Sequence, residues 1–286
     1  MLSQKKKNMS KKGNIQSNRL TLQHKASEGV IGIFDTDAKI HDKEVYNTSI
    51  IAKQILEEQY PNLKFRYRKE LSKKEINEHL NKIDSRLGKT LFVPTASIKP
   101  DGGIIEVKDD NEKWRVVLVS EAKFQGKDIE NIKNGTLVGK NNNQILMVAG
   151  NAIERAHKNI CEIANYMLTE LYFPYVIFLE GSNFLTHDIT IKRFDGSTYT
   201  LSYNNGALNR LDRLTASNYG MPINQNLCEN IFISSNSLNI MLQSASIYTQ
   251  GNGEKWNENE MVAVMIDIAK TSLKMLSKDL FKQLTK

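Results

Sequence analysis

The chain has 286 residues, 40% of them hydrophobic, with 39 basic and 32 acidic side chains and a formal net charge of +7. That is enough apolar material to bury a sizeable core in one large domain or two small ones. No run approaches the ~18 apolar residues of a membrane-spanning helix, and Cys161 and Cys228, far apart with no secretory leader ahead of them, give no disulfide framework, so the cytoplasm is the expected compartment and no membrane partner is expected.

All of the excess charge sits at the start. Ahead of Glu28 stand Lys5, Lys6, Lys7, Lys11, Lys12, Arg19 and Lys25 and no acid; the remaining 32 basic residues match the 32 acidic ones. Residues 1–27, without apolar periodicity, therefore read as a basic, flexible arm, suited to a polyanion or to solubility alone. Residues 28–286 read as a single domain carrying both catalysis and recognition, with no internal repeat and no linker.

The first helix is expected between about His41 and Tyr60, since Val45, Ala52, Ile55 and Leu56 share a face and Pro61 follows. Leu63, Phe65 and Tyr67 then alternate with Lys64, Arg66 and Arg68, a strand with one wet face. Ser72-Lys-Lys-Glu75 is a capping box that opens a second helix to about Ile83. LFVPTASI, IIEV and WRVVLVSEA follow, three extended pieces separated by turns and expected to begin a central sheet. A long helix over about 146–171 precedes the buried strand YVIFLEG, and this strand, helix, strand order predicts a crossover and a partly parallel sheet. ITIKRFDGSTYTLSY is a hairpin about Asp195-Gly196. The chain from about Asn257 is helical, with Val264, Ile268, Leu273 and Leu276 inward.

The chemistry is concentrated in residues 99–127, KPDGGIIEVKDDNEKWRVVLVSEAKFQGK. On a strand, Glu121 and Lys123 project to one face while Ala122 points away. If IIEV and WRVVLVSE form a hairpin, Asp101 sits beside Glu121 at its open end, and the two carboxylates can share a hard cation such as Mg²⁺. Lys123 would then position or deprotonate a water and offset charge on a phosphate. An acid-x-Lys triplet alone is common; Asp37-Ala38-Lys39 is one, and it lacks the upstream Pro-Asp. Gly102 and Gly103 serve either a ligand's close approach or the turn itself.

Two other apparent signals fail. Gly135-Thr-Leu-Val-Gly139-Lys140 falls one residue short of a phosphate-binding loop and has Asn141 where a hydroxyl should bind magnesium, so no nucleotide cofactor is expected. His24, His41, His79, His157 and His187 show no metal-ligand spacing and read as structural or surface residues. In GNAIERAHKN, residues 150–159, Asn151, Glu154 and Arg155 suit base edges, and Lys158 and Asn159 suit phosphates. An acid beside a base on a helix is equally the mark of a solvated face, and composition alone goes no further.

QSNRLT, GVIGIF, FRYR, SIKPDGG, IEVKDD, QGKDI, GNAIER, FPYV, FLEGSNFL, LNRLDRLTA, NYGMPIN and ASIYTQG together resemble the EcoRI restriction endonuclease family, from about Gln16 to the end. The resemblance implies an α/β, restriction-endonuclease-like fold, a mixed central sheet flanked by helices with DNA-enclosing arms. It implies a homodimeric type II enzyme of a restriction-modification system that cleaves double-stranded DNA at the palindrome GAATTC, between G and A, with Mg²⁺. It further implies that Asp101, Glu121 and Lys123 are catalytic, with the Ala122 carbonyl a further metal ligand. Asn151, Ala152, Glu154 and Arg155 correspond to major-groove readers, with Met147 and Gly150 lining the same segment. Arg210 and Arg213 correspond to residues placed near DNA, and Lys99, Lys127, Lys140, Lys158 and Asn159 to phosphate contacts. The sequence departs from the family pattern at Val148, where alanine is usual, and at Phe124, where histidine is. The rival readings are a structure-specific DNA repair nuclease with the same catalytic residues and a DNA-binding regulator that cuts nothing.

Overall fold

The computed structural model describes residues 36–89, 95–135, 150–170, 172–203, 230–235, 238–243 and 245–276. The first helix, α1 (Thr36–Gln59), begins five residues ahead of the expected start, taking in Asp37-Ala38-Lys39. That acid-x-Lys triplet is therefore helical, and its Asp37 is ion-paired with Lys127. Short strands β1 (Phe65–Arg68) and β2 (Leu71–Ser72) lead into α2 (Lys73–Ile83). Half of the expected capping box forms: the Glu75 amide donates to Ser72 Oγ at 3.1 Å, while the Glu75 carboxylate accepts from Arg68.

Of the three extended pieces, two join the central sheet as β4 (Gly103–Lys108) and β5 (Trp114–Phe124). The third does not. Ser97–Ile98, β3, pairs instead with β2 in a separate two-stranded sheet. Pro100, with no N–H to donate, ends that run before it reaches the central ladder. After β5 come α3 (Asp128–Lys133), α4 (Gly150–Tyr166) and β6 (Tyr175–Glu180), whose six residues are all buried.

The central sheet has the order β1-β4-β5-β6-β11, where β11 is Ser246–Thr249. β1, β4 and β5 are antiparallel neighbours; β5, β6 and β11 run parallel. The expected crossover is thus present, with α4 between the parallel strands β5 and β6. β7 (Ile189–Lys192) and β8 (Thr198–Leu201) form the expected hairpin, with Gly196 at φ 85°. Strands β9 (Asn230–Ser235) and β10 (Leu238–Gln243) form a second hairpin that periodicity did not single out. The last helix, α5 (Glu258–Met275), is capped by Asn257, whose side chain accepts from the Asn259 amide at 2.8 Å.

Each face of the sheet carries its own core. On one, Ile76 and Leu80 of α2 and Ile153, Ala156, Ile160 and Ile163 of α4 cover Ile104, Val119, Ile177 and Leu179. On the other, Val45, Ala52 and Leu56 of α1 and Met261, Met265 and Ile268 of α5 cover Ile105, Ala122, Val176 and Phe178. The arrangement is a mixed sheet flanked by helices, and its two faces decide where the polar side chains can go.

A bulge sets the phase. Ile105 pairs with Leu118 but Glu106 with Val116, so Val117 is the extra residue on β5. Val117 and Leu118 consequently both enter the α1 and α5 core, while Val119 lies in the α4 core. Without the extra residue, every side chain beyond it would point to the opposite face.

Candidate active site

Beyond that bulge, β5 delivers Glu121 and Lys123 toward α4 with Ala122 in the opposite core. Asp101 arrives from the turn before β4. The Gly103 amide donates to Pro100 O at 3.0 Å and the Gly102 amide to Ser120 O at 2.9 Å, which pins the turn to β5. A side chain at Gly102 would meet Ser120 Oγ at 2.2 Å and Ser49 Oγ at 2.7 Å, and Gly103, at φ 80°, backs onto Tyr67. The two glycines therefore serve the close packing of the turn on β5 and β1.

The expected convergence is present. The Lys123 ammonium donates to Asp101 Oδ2 at 2.8 Å, to Glu121 Oε1 at 2.5 Å and to the Ala122 carbonyl at 2.6 Å. The Ala122 amide reaches Asp101 Oδ2 at 3.3 Å. Two residues complete Glu121: Asn159 of α4, read from sequence only as a phosphate contact, donates through Nδ2 to its oxygens at 3.2 and 3.4 Å, and Tyr175 Oη of β6, not singled out in sequence, donates to Oε2 at 3.0 Å. Glu121 is 2% exposed at its side chain, Lys123 13% and Asp101 26%, so the site opens on the Asp101 side.

One ammonium faces two carboxylates. Burial pushes the Glu121 carboxyl up to about 7; Lys123 pulls it down, and Asp101 raises it again. For Lys123, burial alone would lower the ammonium, yet Glu121 and Asp101 together raise it well above its ordinary value. Burial and Glu121 likewise push the Tyr175 hydroxyl up, which keeps it a donor. The cluster has one negative charge left over when both acids are ionised.

A cavity of about 500 Å³ lies beside Asp101, lined also by Asp42, by Lys39 and Lys43 of α1 and by Lys69 and Lys99. Asp42 is pushed up to about 6 by burial and then by Asp101. No sequence pattern marks Asp42; its place follows from the packing of α1 against β5.

The remaining candidates divide. Lys99 is exposed and pairs with Glu70 at 2.6 Å. Lys127 is half-buried against Asp37. Gly150, Asn151, Ala152 and Glu154 lie in the first turns of α4, beside Arg155 and Lys158, which are exposed, while Ile153 and Ala156 hold the helix to the core. Met147, Val148 and Lys140, together with Arg210 and Arg213, lie outside the described residues, as does the arm over 1–27. Among the described residues, no helix is long and apolar enough to cross a membrane.

The sequence resembles known proteins over most of its length. A family model described as "Restriction endonuclease EcoRI" matches residues 27–283. The chain is 64% identical over 270 residues to "Type II restriction enzyme EcoRI" of Escherichia coli, covering 94% of this chain and 98% of that protein. It is 47% identical over 269 residues to "Type II restriction enzyme RsrI" of Cereibacter sphaeroides, covering 94% and 96%.

Proposed function

The chain belongs to the EcoRI family of restriction endonucleases and is thus a type II site-specific deoxyribonuclease; from that premise we propose that it acts as a homodimer on GAATTC, cutting between G and A with Mg²⁺. The observation that carries the mechanism is the convergence of Asp101 Oδ2, Glu121 Oε1 and the Ala122 carbonyl on one cationic point, filled here by the Lys123 ammonium. An all-oxygen donor set suits a hard divalent ion, so these residues fit Mg²⁺. Bound there, the ion would supply Lewis acidity toward a phosphodiester oxygen and lower the pKa of an attacking water.

The chain's own groups do the rest. Asn159 and Tyr175 fix both oxygens of Glu121, so its orientation does not depend on the ion. Lys123, whose ammonium its two carboxylates raise in the metal-free site, serves as a donor that orients water and stabilises charge on the phosphate oxygens once the ion takes its place between the acids. The product is a 5′-phosphate and a 3′-hydroxyl on each strand.

Recognition falls to the first turns of α4, where Asn151, Glu154 and Arg155 face base edges and Ala152, Gly150 and Met147 line the segment, with Arg210 and Arg213 contributing. Arg155 and Asn159 are one helical turn apart, so the element that reads bases also touches Glu121. Lys99, Lys127, Lys140 and Lys158 take phosphates, and releasing the ion pairs of Lys99 and Lys127 is part of binding. A two-fold dimer presents the same readers to each half of a palindrome. Digestion of one plasmid with a single GAATTC and one without, in Mg²⁺, tests the reading. Linear product with GAATTC ends from the first plasmid alone is expected; nicking of both would replace it with a structure-specific repair nuclease.

A further inference from the structure

On the opposite face of β6 from the catalytic residues, a second group of ligating side chains closes up. β6 pairs Ile177 with Glu121 and Leu179 with Lys123, whereas Val176 and Phe178 enter the α1 and α5 core. Glu180, the last residue of that strand, follows Phe178 onto the α1 side. There it meets His41 and Glu44, which are three residues apart on one face of α1. The imidazole Nε2 or Nδ1, and one carboxylate oxygen from each glutamate, lie within 4.8 Å of one another. Among the described residues no other group of three such side chains converges in this way.

The hydrogen bonding around His41 is what points to a ligand. Nε2 is 3.0 Å from the Phe178 carbonyl, an oxygen that only accepts, so the ring proton is on Nε2. In the neutral ring Nδ1 is then a lone pair. It is buried, has no hydrogen-bond partner and lies 3.1 Å from Glu180 Oε1, outside hydrogen-bond geometry. Glu180 Oε1 is fixed from its other side by the Trp256 amide at 2.8 Å. His41 and Glu180 are 0% and 1% exposed at their side chains, so bulk water does not reach Nδ1. Ligand atoms about 2.1 Å from one ion and at right angles are roughly 3 Å apart, the separation seen here. Glu44, partly exposed, supplies the third ligand and the route in.

We infer that His41, Glu44 and Glu180 form a second metal site, separate from the catalytic one and selective for a first-row transition ion over Mg²⁺. The selectivity follows from the ligands: an imidazole nitrogen with two carboxylates suits Zn²⁺, Co²⁺ or Mn²⁺, whereas Mg²⁺ favours oxygen donors and retains its waters. The ion joins the start of α1 to the end of β6, and its role is to tie helix to sheet. Cleavage does not pass through it.

The test is Co²⁺ binding to the metal-free full chain, followed by its visible absorption. Wild type and Asp101→Asn should both show a nitrogen-ligated Co²⁺ spectrum, because the site does not use Asp101. Glu44→Gln should weaken that binding at least tenfold while leaving Mg²⁺-dependent cleavage within about twofold of wild type; it also avoids the folding risk of replacing buried His41. Loss of the Co²⁺ spectrum in Asp101→Asn, or an unchanged Co²⁺ affinity in Glu44→Gln, overturns the inference and leaves His41 and Glu180 as a buried imidazolium-carboxylate pair.

Discussion

Glu106 and Glu121 sit on neighbouring strands of one sheet, both with side chains sealed from solvent, yet their surroundings have opposite charge balance. Glu106 receives Arg66 Nε at 2.6 Å, with Arg68 Nη1 at 3.6 Å, and Arg66 is itself stacked 4.1 Å over the Trp114 ring. Glu121 shares a single lysine with Asp101. A buried acid that serves the fold is supplied with cations in full or in excess; one that serves chemistry is left short by one charge. That shortage is costly to the apo chain, and in the proposed function it is what makes the pair a receptor for a dication.

The sharpest way to break this contrast is to neutralise each acid in turn. Glu121→Gln is expected to lower single-turnover cleavage by roughly a thousandfold, with specific DNA binding retained and thermal stability equal to or above wild type. Glu106→Ala should do the reverse. It should cost about 2–3 kcal/mol in chemical denaturation, less than the roughly 3–5 kcal/mol of a fully buried pair, because Arg66 reaches solvent and Arg68 keeps Glu75. A Glu121→Gln chain that unfolds as readily as Glu106→Ala would erase the distinction.

A second approach varies pH. Because burial raises Glu121 from 4.5 to about 7, its contribution favours the folded chain fully below 4.5 and is lost as pH rises through about 7. Magnesium reverses the sign, since the ion needs the carboxylate ionised. Mg²⁺ affinity should therefore climb by up to about tenfold per pH unit on approaching 7 and flatten above it. An Mg²⁺ affinity independent of pH between 5 and 7 would show that Glu121 is already ionised there.

The smallest effect expected is that of Tyr175→Phe. Removing the hydroxyl that fixes Glu121 Oε2 at 3.0 Å should weaken Mg²⁺ about tenfold, the lower end for a group that orients a ligand, with little change in DNA binding. Equal Mg²⁺ affinity would assign Tyr175 to packing alone.

The site was readable in sequence where local rules apply. Strand parity puts Glu121 and Lys123 on one face, and the turn before β4 returns Asp101 to them, so three residues of the cluster needed only a hairpin. Asn159 and Tyr175 were not readable as Glu121's partners. They lie 38 and 54 residues away and reach it only because α4 crosses over the sheet and β6 pairs parallel to β5. The bulge at Val117 was equally invisible, since VVLV is apolar in either phase. Spacing reads His41 as a structural or surface residue, because Glu180 is distant in sequence and only Glu44 lies near it along the helix. The fold followed similar lines: helices with clear caps and apolar faces were found, whereas β3 was assigned to the wrong sheet for want of any local mark of its partner.

The central claim is that two acids and a carbonyl form a cation cradle in which Lys123 stands until a metal arrives. A crystal of the full chain grown with Mn²⁺, read by anomalous scattering, tests it directly. A peak among Asp101 Oδ2, Glu121 Oε1 and the Ala122 carbonyl, with the Lys123 ammonium moved off those oxygens, is the result expected. A map in which Lys123 keeps all three contacts and no peak lies among them would contradict it.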